Sequence, residues 1–312
     1  MSVRSRRVVL AGLVLSAVTA VAGCGDGGNP LSGSSATPGD GGGANSSKIV
    51  VGSANFSENQ ILAELYAQAM TAKGVDASTH LDIGSRELYI RALKDGSISA
   101  VPEYTGNLLQ YLDPKATAST AEEVDDQLPK AAEKQGFAVL DTTKAVDQDC
   151  YVVTQETADK YQLKTLADLS KVPSLTVGGP TELQDRPYGP PGLKGIYNLK
   201  VAKFEAYDSP AIKVKDLKDG KIVAADFFTT DAAIADNGFV KLEDPQSMIL
   251  PQNVVPLVRS DVSKNTKAVD AMNAVGAQLT TEDLTALIKK VDSEHQSAAD
   301  VAKDWLTSKG LV

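Results

Sequence analysis

The chain has 312 residues, with 40 acidic and 31 basic side chains and a formal net charge of −9. This acidic balance argues against a nucleic-acid partner and against a polybasic membrane-binding surface. The whole sequence contains two histidines and two cysteines, which excludes a His/Cys metal cage or a disulfide framework. We therefore predict no metal site and no cofactor. The length suffices for two ordinary domains.

Residues 1–23 have the pattern of an export signal. Basic residues at positions 4, 6 and 7 precede an apolar run over 8–22, and small residues lead to Cys24. A cysteine directly after small residues is typical of bacterial lipoproteins, so we predict cleavage before Cys24 and acylation of its thiol. The alternative is a plain secretory peptide in which Cys24 is incidental. Sec and twin-arginine export both stay open.

Residues 24–47 consist mainly of Gly, Ser, Asn, Asp and Pro. Such a composition cannot form a hydrophobic core and predicts a flexible tether. A lipid anchor followed by a tether would hold the folded part at the outer face of the cytoplasmic membrane. We therefore predict an extracytoplasmic, lipid-anchored protein.

From residue 48 onward, short apolar runs alternate with helical spacings. Strands are predicted near 49–51, 77–83, 98–101, 150–153, 175–178, 202–204, 222–225 and 253–258, and three helices are predicted to end the chain. Ser57 is predicted to cap the first helix, and Pro102 to end the third strand because it removes a backbone donor. The alternation predicts mixed β-sheets flanked by helices.

The β-α series occurs twice, which predicts two similar α/β lobes. We expect the chain to cross between them near 147–151 and again near 244–254. Lobe 1 would then comprise residues 48–149 and 253–312, and lobe 2 residues 150–252, joined by a two-strand hinge. A cleft between two lobes is a common site for a small molecule.

Two of the predicted strands end in aromatic and hydroxyl side chains. The run Ile98–Asn107 passes from an apolar strand through Tyr104 and Thr105 into a helical spacing, and Asp226–Asp231 repeats this theme. In open α/β sheets, ligands bind at the carboxyl edge of the strands, so both runs are candidate ligand contacts. The alternatives are an ordinary strand-to-helix turn and, for Phe228, a place in the core.

Six short motifs occur in order along the chain: Val51–Glu58, Gly84–Glu87, Pro102–Gly106, Arg186 with Pro191–Leu193, Gly220, and Thr230–Asp231. Together they resemble the substrate-binding proteins of ABC importers for glycine betaine, choline and related osmoprotectants. The resemblance covers residues 48–312. It implies a type II periplasmic-binding-protein fold that closes over a small-molecule ligand and docks on a membrane permease powered by an ATPase. We also expect a monomer.

By this resemblance, Tyr104 and Phe228 correspond to walls of an aromatic cage for a quaternary ammonium group. A cation over a ring face gains roughly 0.5–2 kcal/mol. Thr105 and Arg186 correspond to groups that hold a carboxylate or another polar end of the ligand, since an arginine fork suits a carboxylate. The alternative for Arg186 is a surface ion pair with an acidic neighbour in sequence.

The chain also departs from the family pattern. Ala54 stands where the family has a basic residue, and residues 147–149 lack the aromatic side chain that the family tends to have there. Val214 stands where the family has a further aromatic residue. We therefore expect a depleted cage, in which Asp149 offers a carboxylate to a cation and favours choline over betaine. The alternative is a hydroxylated aromatic ligand held by stacking and by polar side chains that either kind of ligand could use: Asn55, Thr105, Thr230 and Asp231.

An enzyme is the main competing interpretation. His80 and His295 have no serine or cysteine nucleophile pattern near them, and Cys150 lies in an apolar strand. No calcium-binding loop is present in the sequence. We therefore predict a binding protein without catalytic activity.

Overall fold

The structure, a computed structural model, describes residues 48–312. The predicted export signal, Cys24 and the whole of the predicted tether lie outside the described residues. Within them the strands are, in chain order, β1 (Ile49–Gly52), β2 (Ala77–His80), β3 (Ala100–Tyr104), β4 (Phe137–Val139), β5 (Asp149–Thr154), β6 (Leu175–Gly179), β7 (Val201–Ala206), β8 (Ala224–Phe228), β9 (Phe239–Lys241) and β10 (Val254–Arg259).

Helices connect and flank these strands. The α-helices of the described residues are α1 (Ser57–Ala72), α2 (Arg86–Asp95), α3 (Thr105–Leu112), α4 (Ala121–Glu133), α5 (Gln155–Tyr161), α6 (Pro190–Gly195), α7 (Pro210–Lys218), α8 (Ala232–Asp236), α9 (Thr266–Gln278), α10 (Thr281–Asp292) and α11 (Ala298–Ser308). Short 3₁₀ helices cover Leu166–Lys171, Thr181–Asp185 and Val262–Lys264. Between residues 48 and 312 we find no helix that is both long and apolar enough to cross a membrane.

The strands form two five-stranded mixed sheets with the same arrangement. The first sheet has the order β2-β1-β3-β10-β4 and the second β7-β6-β8-β5-β9. Three strands are parallel in each sheet, and the strand that follows them (β10 or β5) runs antiparallel to both of its neighbours. The predicted fold class, two mixed sheets flanked by helices, is therefore confirmed.

Alternating burial explains how each sheet acquires helices on both faces. In β10, Val254 and Val258 pack with α1 and the three C-terminal helices, while Val255 and Leu257 pack with α2, α3 and α4 on the other face. Successive side chains of a strand point to opposite faces, so a strand that is apolar throughout needs cover on both. The C-terminal helices, together with α1, thus cover one face of the first sheet.

The chain passes between the sheets twice, and the two passages pair with each other. The first leads from β4 to β5 and the second from β9 to β10. Val146 and Asn253 form an antiparallel bridge, the Asp147 amide donates to Gln252 O at 3.2 Å, and the Val254 amide donates to Ala145 O at 3.0 Å. Two hydrogen-bonded crossing segments make a two-strand hinge.

Two local expectations are wrong. Pro102 does not end β3, which runs on to Tyr104, because Pro102 faces Pro256 of β10, and its carbonyl accepts from Asn59 Nδ2 at 3.1 Å instead of from a strand. Ser57 is the first residue of α1 rather than its cap, and its hydroxyl donates to Asp292 Oδ1 at 2.5 Å.

Candidate ligand-binding site

A cavity of about 70 Å³ lies between the two sheets, where the ends of β3 and β8 and the start of β5 meet. It is lined from the first-sheet side by Phe56, Arg86, Tyr89, Tyr104 and Asn107, and from the second-sheet side by Asp149, Pro180, Glu182, Leu183, Arg186, Tyr188, Asp226 and Phe228. Both halves of the chain therefore contribute to one site, at the sheet edge where ligands bind in α/β folds.

Three aromatic rings stack on one another across the boundary between the sheets. The ring centroids of Phe56 and Phe228 are 5.2 Å apart, and those of Tyr104 and Phe228 are 6.5 Å apart. Phe56 and Tyr104 come from the first-sheet side and lie 6.2 Å apart, while Phe228 ends β8. These separations are those of direct ring–ring contact. We call Phe56, Tyr104 and Phe228 the aromatic cluster.

A buried pair of carboxyl groups lies beside the aromatic cluster. The Tyr104 hydroxyl donates to Glu58 Oε1 at 2.7 Å, and Thr230 Oγ1 lies 3.0 Å from Glu58 Oε2 and 2.7 Å from Asp147 Oδ1. Thr230 has one hydroxyl proton, so it can donate to only one carboxyl and must accept a proton from the other. At least one of the two carboxyls is therefore protonated when both contacts are hydrogen bonds.

The environment of this pair favours protonation of at least one of the two carboxyl groups. Burial, with the charge of Asp147 added, raises the pKa of Glu58 well above its ordinary value. Burial likewise raises the pKa of Asp147 to about 7. Because Glu58 lies in α1, Asp147 in the first crossing segment and Thr230 after β8, this network joins both sheets at the hinge.

The two arginines of the lining are already paired with carboxylates. Arg86 donates through Nε and Nη2 to Glu103 at 2.7 and 2.9 Å, and Tyr89 adds a third hydrogen bond to Glu103 at 2.8 Å. Arg186 donates through Nη1 and Nη2 to Glu87 at 2.6 and 3.1 Å. The Arg186–Glu87 pair spans the two sheets, because Glu87 lies in α2 and Arg186 follows β6.

Two aspartates of the second sheet line the same cavity. Asp149 pairs with Phe228 between β5 and β8, so Asp226, two residues before Phe228, lies on the same face of the sheet. Asp149 Oδ2 accepts from Asn107 Nδ2 at 2.6 Å and from Gln252 Nε2 at 3.0 Å. Burial raises the pKa of both aspartates, and the charge of Asp149 raises that of Asp226 further.

The predicted site residues divide into two groups. Those that line the cavity are Tyr104, Asp149, Arg186 and Phe228, and Thr230 adjoins it through Glu58. Asn55 is exposed and absent from the lining, and the Thr105 hydroxyl accepts from the Asn253 amide at 3.1 Å in a loop-anchoring role. Asp231 Oδ2 accepts from the Phe228 amide at 3.0 Å and so fixes the turn after β8.

The cavity has more aromatic side chains than Tyr104 and Phe228 alone, while the depletion predicted from Ala54, residues 147–149 and Val214 stays a prediction. Five aromatic residues line it: Phe56, Tyr89, Tyr104, Tyr188 and Phe228. The sequence reasoning missed Phe56, although it lies within the Val51–Glu58 motif. Phe56 stands directly before α1, and the direction of its side chain depends on how this helix packs on the sheet. Arg186 pairs with Glu87 rather than with an acidic neighbour in sequence, and Phe228 is half-buried in the site rather than in the core.

The histidines and Cys150 lie away from this cavity. His80 and His295 are exposed, and Cys150 is buried in an apolar cluster with Val152 and Phe227. Burial raises the pKa of the Cys150 thiol, which keeps it in its unreactive protonated form. Among residues 48–312, no group of acidic, histidine or cysteine side chains has the arrangement of a metal site.

Two α/β halves joined by a two-strand hinge, with a cavity between them lined from both sides, define a type II periplasmic-binding-protein fold. Residues 47–308 match the family described as the substrate-binding domain of ABC-type glycine betaine transport systems. The chain belongs to this family of transport proteins.

Relatives of known function agree with this assignment. The chain is 25% identical over 280 residues to the glycine betaine-binding protein YehZ of Escherichia coli K12, covering 85% of this chain and 91% of YehZ. It is also 25% identical over 284 residues to a glycine-betaine-binding protein of Pseudomonas aeruginosa, covering 86% of this chain and 90% of the relative. A hydroxylated aromatic ligand finds no support in these two relatives.

The fold also matches a solved structure. The crystal structure of a glycine betaine/carnitine/choline ABC transporter protein superposes with a TM-score of 0.67 at 19% identity. The match covers 84% of this chain and 99% of that structure.

Proposed function

We propose that this protein is the extracytoplasmic solute-binding component of an ABC importer and captures a small quaternary ammonium osmoprotectant in its cleft. The observation that supports this most directly is the aromatic cluster, which both sheets build together. Quaternary ammonium groups are recognised by aromatic faces, because each ring offers its negative quadrupole to the cation. Family membership and the two glycine betaine-binding relatives point to the same ligand class.

The cavity must widen to admit such a ligand. Its volume of about 70 Å³ is well below the roughly 300–1,000 Å³ of small-molecule pockets. A centroid separation of 5.2 Å between Phe56 and Phe228 leaves no space for an ammonium group between the two rings. We therefore propose that the two sheets belong to two lobes, which part and close again about the crossing segments as the ligand enters.

The predicted lobe boundaries remain part of this proposal. Lobe 1 would consist of residues 48–149 and 253–312, and lobe 2 of residues 150–252. In the structure β5 begins at Asp149, so the first crossing lies just before this residue. The contacts that would break on opening are those between the lobes: the aromatic stacking, the Thr230–Glu58 hydrogen bond and the Arg186–Glu87 ion pair.

The remaining site residues serve the same proposal. Tyr104 and Phe228 would form walls for the cation, and Asp149 would add negative charge beside it. Arg186 would hold the lobes closed through Glu87, and Thr230 would do so through Glu58. Asn55, Thr105 and Asp231 lie outside the cavity lining, and we propose for Thr105 and Asp231 that they shape the loops that carry Tyr104 and Phe228.

Delivery of the ligand requires a partner in the membrane. We propose a permease with its ATPase as that partner, a monomeric binding protein, and acylation of Cys24 as the anchor that keeps it near the permease. One acyl chain gives only marginal membrane binding, so stable anchoring needs two or more chains on the processed N-terminus.

Isothermal titration calorimetry with glycine betaine, choline and carnitine tests the proposal. We expect at least one of them to bind with a stoichiometry of one ligand per chain and to raise the melting temperature, because a ligand specific for the folded state must stabilise it. Absence of binding by all three to a folded, cooperatively unfolding protein would contradict the proposed ligand class. Chemical turnover of a bound ligand would contradict the non-enzymatic role.

A further inference from the structure

The hydrogen bonds of the carboxyl pair beside the aromatic cluster indicate which of its two members carries a proton. The Thr230 amide donates to Asp147 Oδ1 at 3.3 Å, and Thr230 Oγ1 lies 2.7 Å from the same oxygen. Because Asp147 Oδ1 already accepts from an amide, it is the better acceptor for the single hydroxyl proton of Thr230. Glu58 Oε2, 3.0 Å from Thr230 Oγ1, then has to donate, while Glu58 Oε1 accepts from the Tyr104 hydroxyl. The proton of the pair thus lies on Glu58.

The surroundings of this network make a second negative charge costly. Glu58, Asp147 and Thr230 are all buried, and Asp147 Oδ2 is buried without a hydrogen-bond partner. Between residues 48 and 312, no lysine, arginine or histidine forms an ion pair with either carboxyl group. Two neighbouring carboxylates in a buried site without a cation are strongly disfavoured, so loss of the Glu58 proton would break the network.

The titratable groups around the network are mostly acidic. They come from five places in the fold: Tyr104 of β3, Asp149 of β5, Lys213 of α7, Asp231 after β8 and Asp292 of α10. Burial raises the pKa of Asp147, and the charges of Asp231 and Asp149 raise it further. Burial also raises the pKa of Asp231, while the charge of Lys213 opposes this rise and that of Asp292 adds to it. The local field therefore favours a protonated network over an ionised one.

One half of the network depends on how the two lobes meet, and the other half does not. The Thr229 amide donates to Gln148 O at 2.9 Å, and the Gln148 amide donates to Thr229 Oγ1 at 3.0 Å, which ties the turn after β8 to the first crossing segment. Thr230 would therefore stay beside Asp147 when the lobes part, whereas Glu58 belongs to α1 and would separate from Thr230. Water would then reach Glu58, and its pKa would return towards the ordinary value of about 4.3.

We propose that Glu58, Thr230 and Asp147 form a proton-dependent latch, in which closure of the lobes takes up one proton on Glu58 and opening releases it. The inference rests on the proposed function, since it needs two lobes that part and close around a ligand. Above about pH 4.3 the open form loses the Glu58 proton, whereas the closed form keeps it. The closed form, and with it ligand affinity, is therefore favoured at low pH and weakened as the pH rises, by at most about tenfold per pH unit for one proton.

Calorimetry with choline and glycine betaine tests the latch, because both compounds keep the same charge between about pH 6 and 8. We expect the affinity of wild type to fall at least about tenfold across this range, out of a maximum of about a hundredfold for one proton. Titrations at about pH 7 in buffers that differ in ionisation enthalpy should show uptake of about one proton per ligand bound. Equal affinities across the range, or binding without proton uptake, would overturn the latch and leave the proposed function standing.

A substitution assigns the effect to Glu58. Glu58→Gln keeps every hydrogen bond of the network without a bound proton, because the amide oxygen accepts from Tyr104 and the amide nitrogen donates to Thr230 Oγ1. We expect this variant to bind at about pH 8 within about threefold of its affinity at about pH 6. Glu64→Gln is the matched control, because Glu64 lies in the same helix but accepts from Thr79 Oγ1 of β2 at 2.9 Å, and it should keep the pH dependence of wild type. A pH dependence as steep in Glu58→Gln as in wild type would overturn the assignment.

Small-angle scattering on the ligand-free protein separates this inference from the proposed function. We expect the radius of gyration of wild type to rise from about pH 6 to 8, because the deprotonated latch no longer holds the lobes together, and that of Glu58→Gln to stay constant. Absence of binding by both ligands would contradict the proposed function, and a constant radius of gyration in wild type would then overturn the latch as well.

Discussion

Replacement of Phe228 by alanine should weaken ligand binding roughly fivefold. Phe228 lies at the end of β8, where its ring stacks on Phe56 at 5.2 Å and faces Tyr104 at 6.5 Å. One ring over a cation, with its share of apolar burial, contributes about 1–3 kcal/mol. Part of this is offset, because a ligand must displace ring stacking worth about 0.5–1.5 kcal/mol. The midpoints of the two ranges leave a net effect of about 1 kcal/mol, which is roughly fivefold in affinity.

The neighbouring residue provides the control for this substitution. Phe227 points to the opposite face of β8, is 2% exposed and packs against Phe239 at a centroid distance of 5.8 Å. Phe227→Leu should lower the free energy of unfolding by about 1 kcal/mol or more through lost core packing and leave ligand affinity within twofold.

Calorimetry and denaturant unfolding on both variants separate the two roles. The reasoning predicts a loss of affinity in Phe228→Ala and a loss of stability in Phe227→Leu. Unchanged affinity in a folded Phe228→Ala protein would refute the assignment of the aromatic cluster as the cation site. Equal losses of affinity in both variants would mean that the effect passes through stability rather than through ring contact.

Three further predictions concern the hinge, the ion pair and the anchor. Burial raises the pKa of Asp147 to about 7, so the folded state binds more protons than the unfolded state between about pH 4 and 7, and denaturant unfolding should show stability falling across this range. The fall should be shallower in Asp147→Asn but not abolished, because burial also raises the pKa of Glu58, Asp149 and Asp226. Glu87→Gln should weaken ligand binding by no more than about fivefold, because Glu87 is 44% exposed, and calorimetry at high salt should abolish the difference from wild type if the Arg186 ion pair is its cause. Cys24→Ala should move the protein from the detergent phase to the aqueous phase on phase separation, and wild-type protein found wholly in the aqueous phase would contradict acylation.

The sequence was sufficient to predict the architecture because each signal for it is local. Apolar runs of four to six residues mark strands that are covered on both faces, and the helical spacing of α1 ends at a glycine with positive φ, Gly74. Tyr104 and Phe228 could be placed in the site because each stands at the end of a strand. Features that follow from the order of strands and turns along the chain could therefore be predicted from the sequence.

The errors arose where a partner distant in sequence decides the outcome. A proline ends a strand only if its missing amide was needed, and nothing near Pro102 reveals that it faces a second proline, Pro256. Glu87 and Arg186 are 99 positions apart, so their pairing depends on how the two halves meet. Glu58 was not recognised as part of the site because a glutamate early in a helix usually serves the helix terminus.

Glycine at position 106 shows a constraint that a motif alone does not explain. A β-carbon there would lie 2.6 Å from Pro251 O and 2.6 Å from Leu250 Cβ. The start of α3 therefore packs directly on the segment that returns to β10, and this close approach keeps Tyr104 beside the hinge. The Tyr-Thr-Gly sequence is set by packing as much as by ligand contact.

The order of strands in the two sheets also determines the order in which they can be completed. All five strands of the second sheet come from one continuous stretch, 149–241, whereas β10 lies between β3 and β4 in the first. The first sheet thus stays in two pieces until residues 254–259 are available. A chain that emerges from its N-terminus can therefore complete the second sheet before the first.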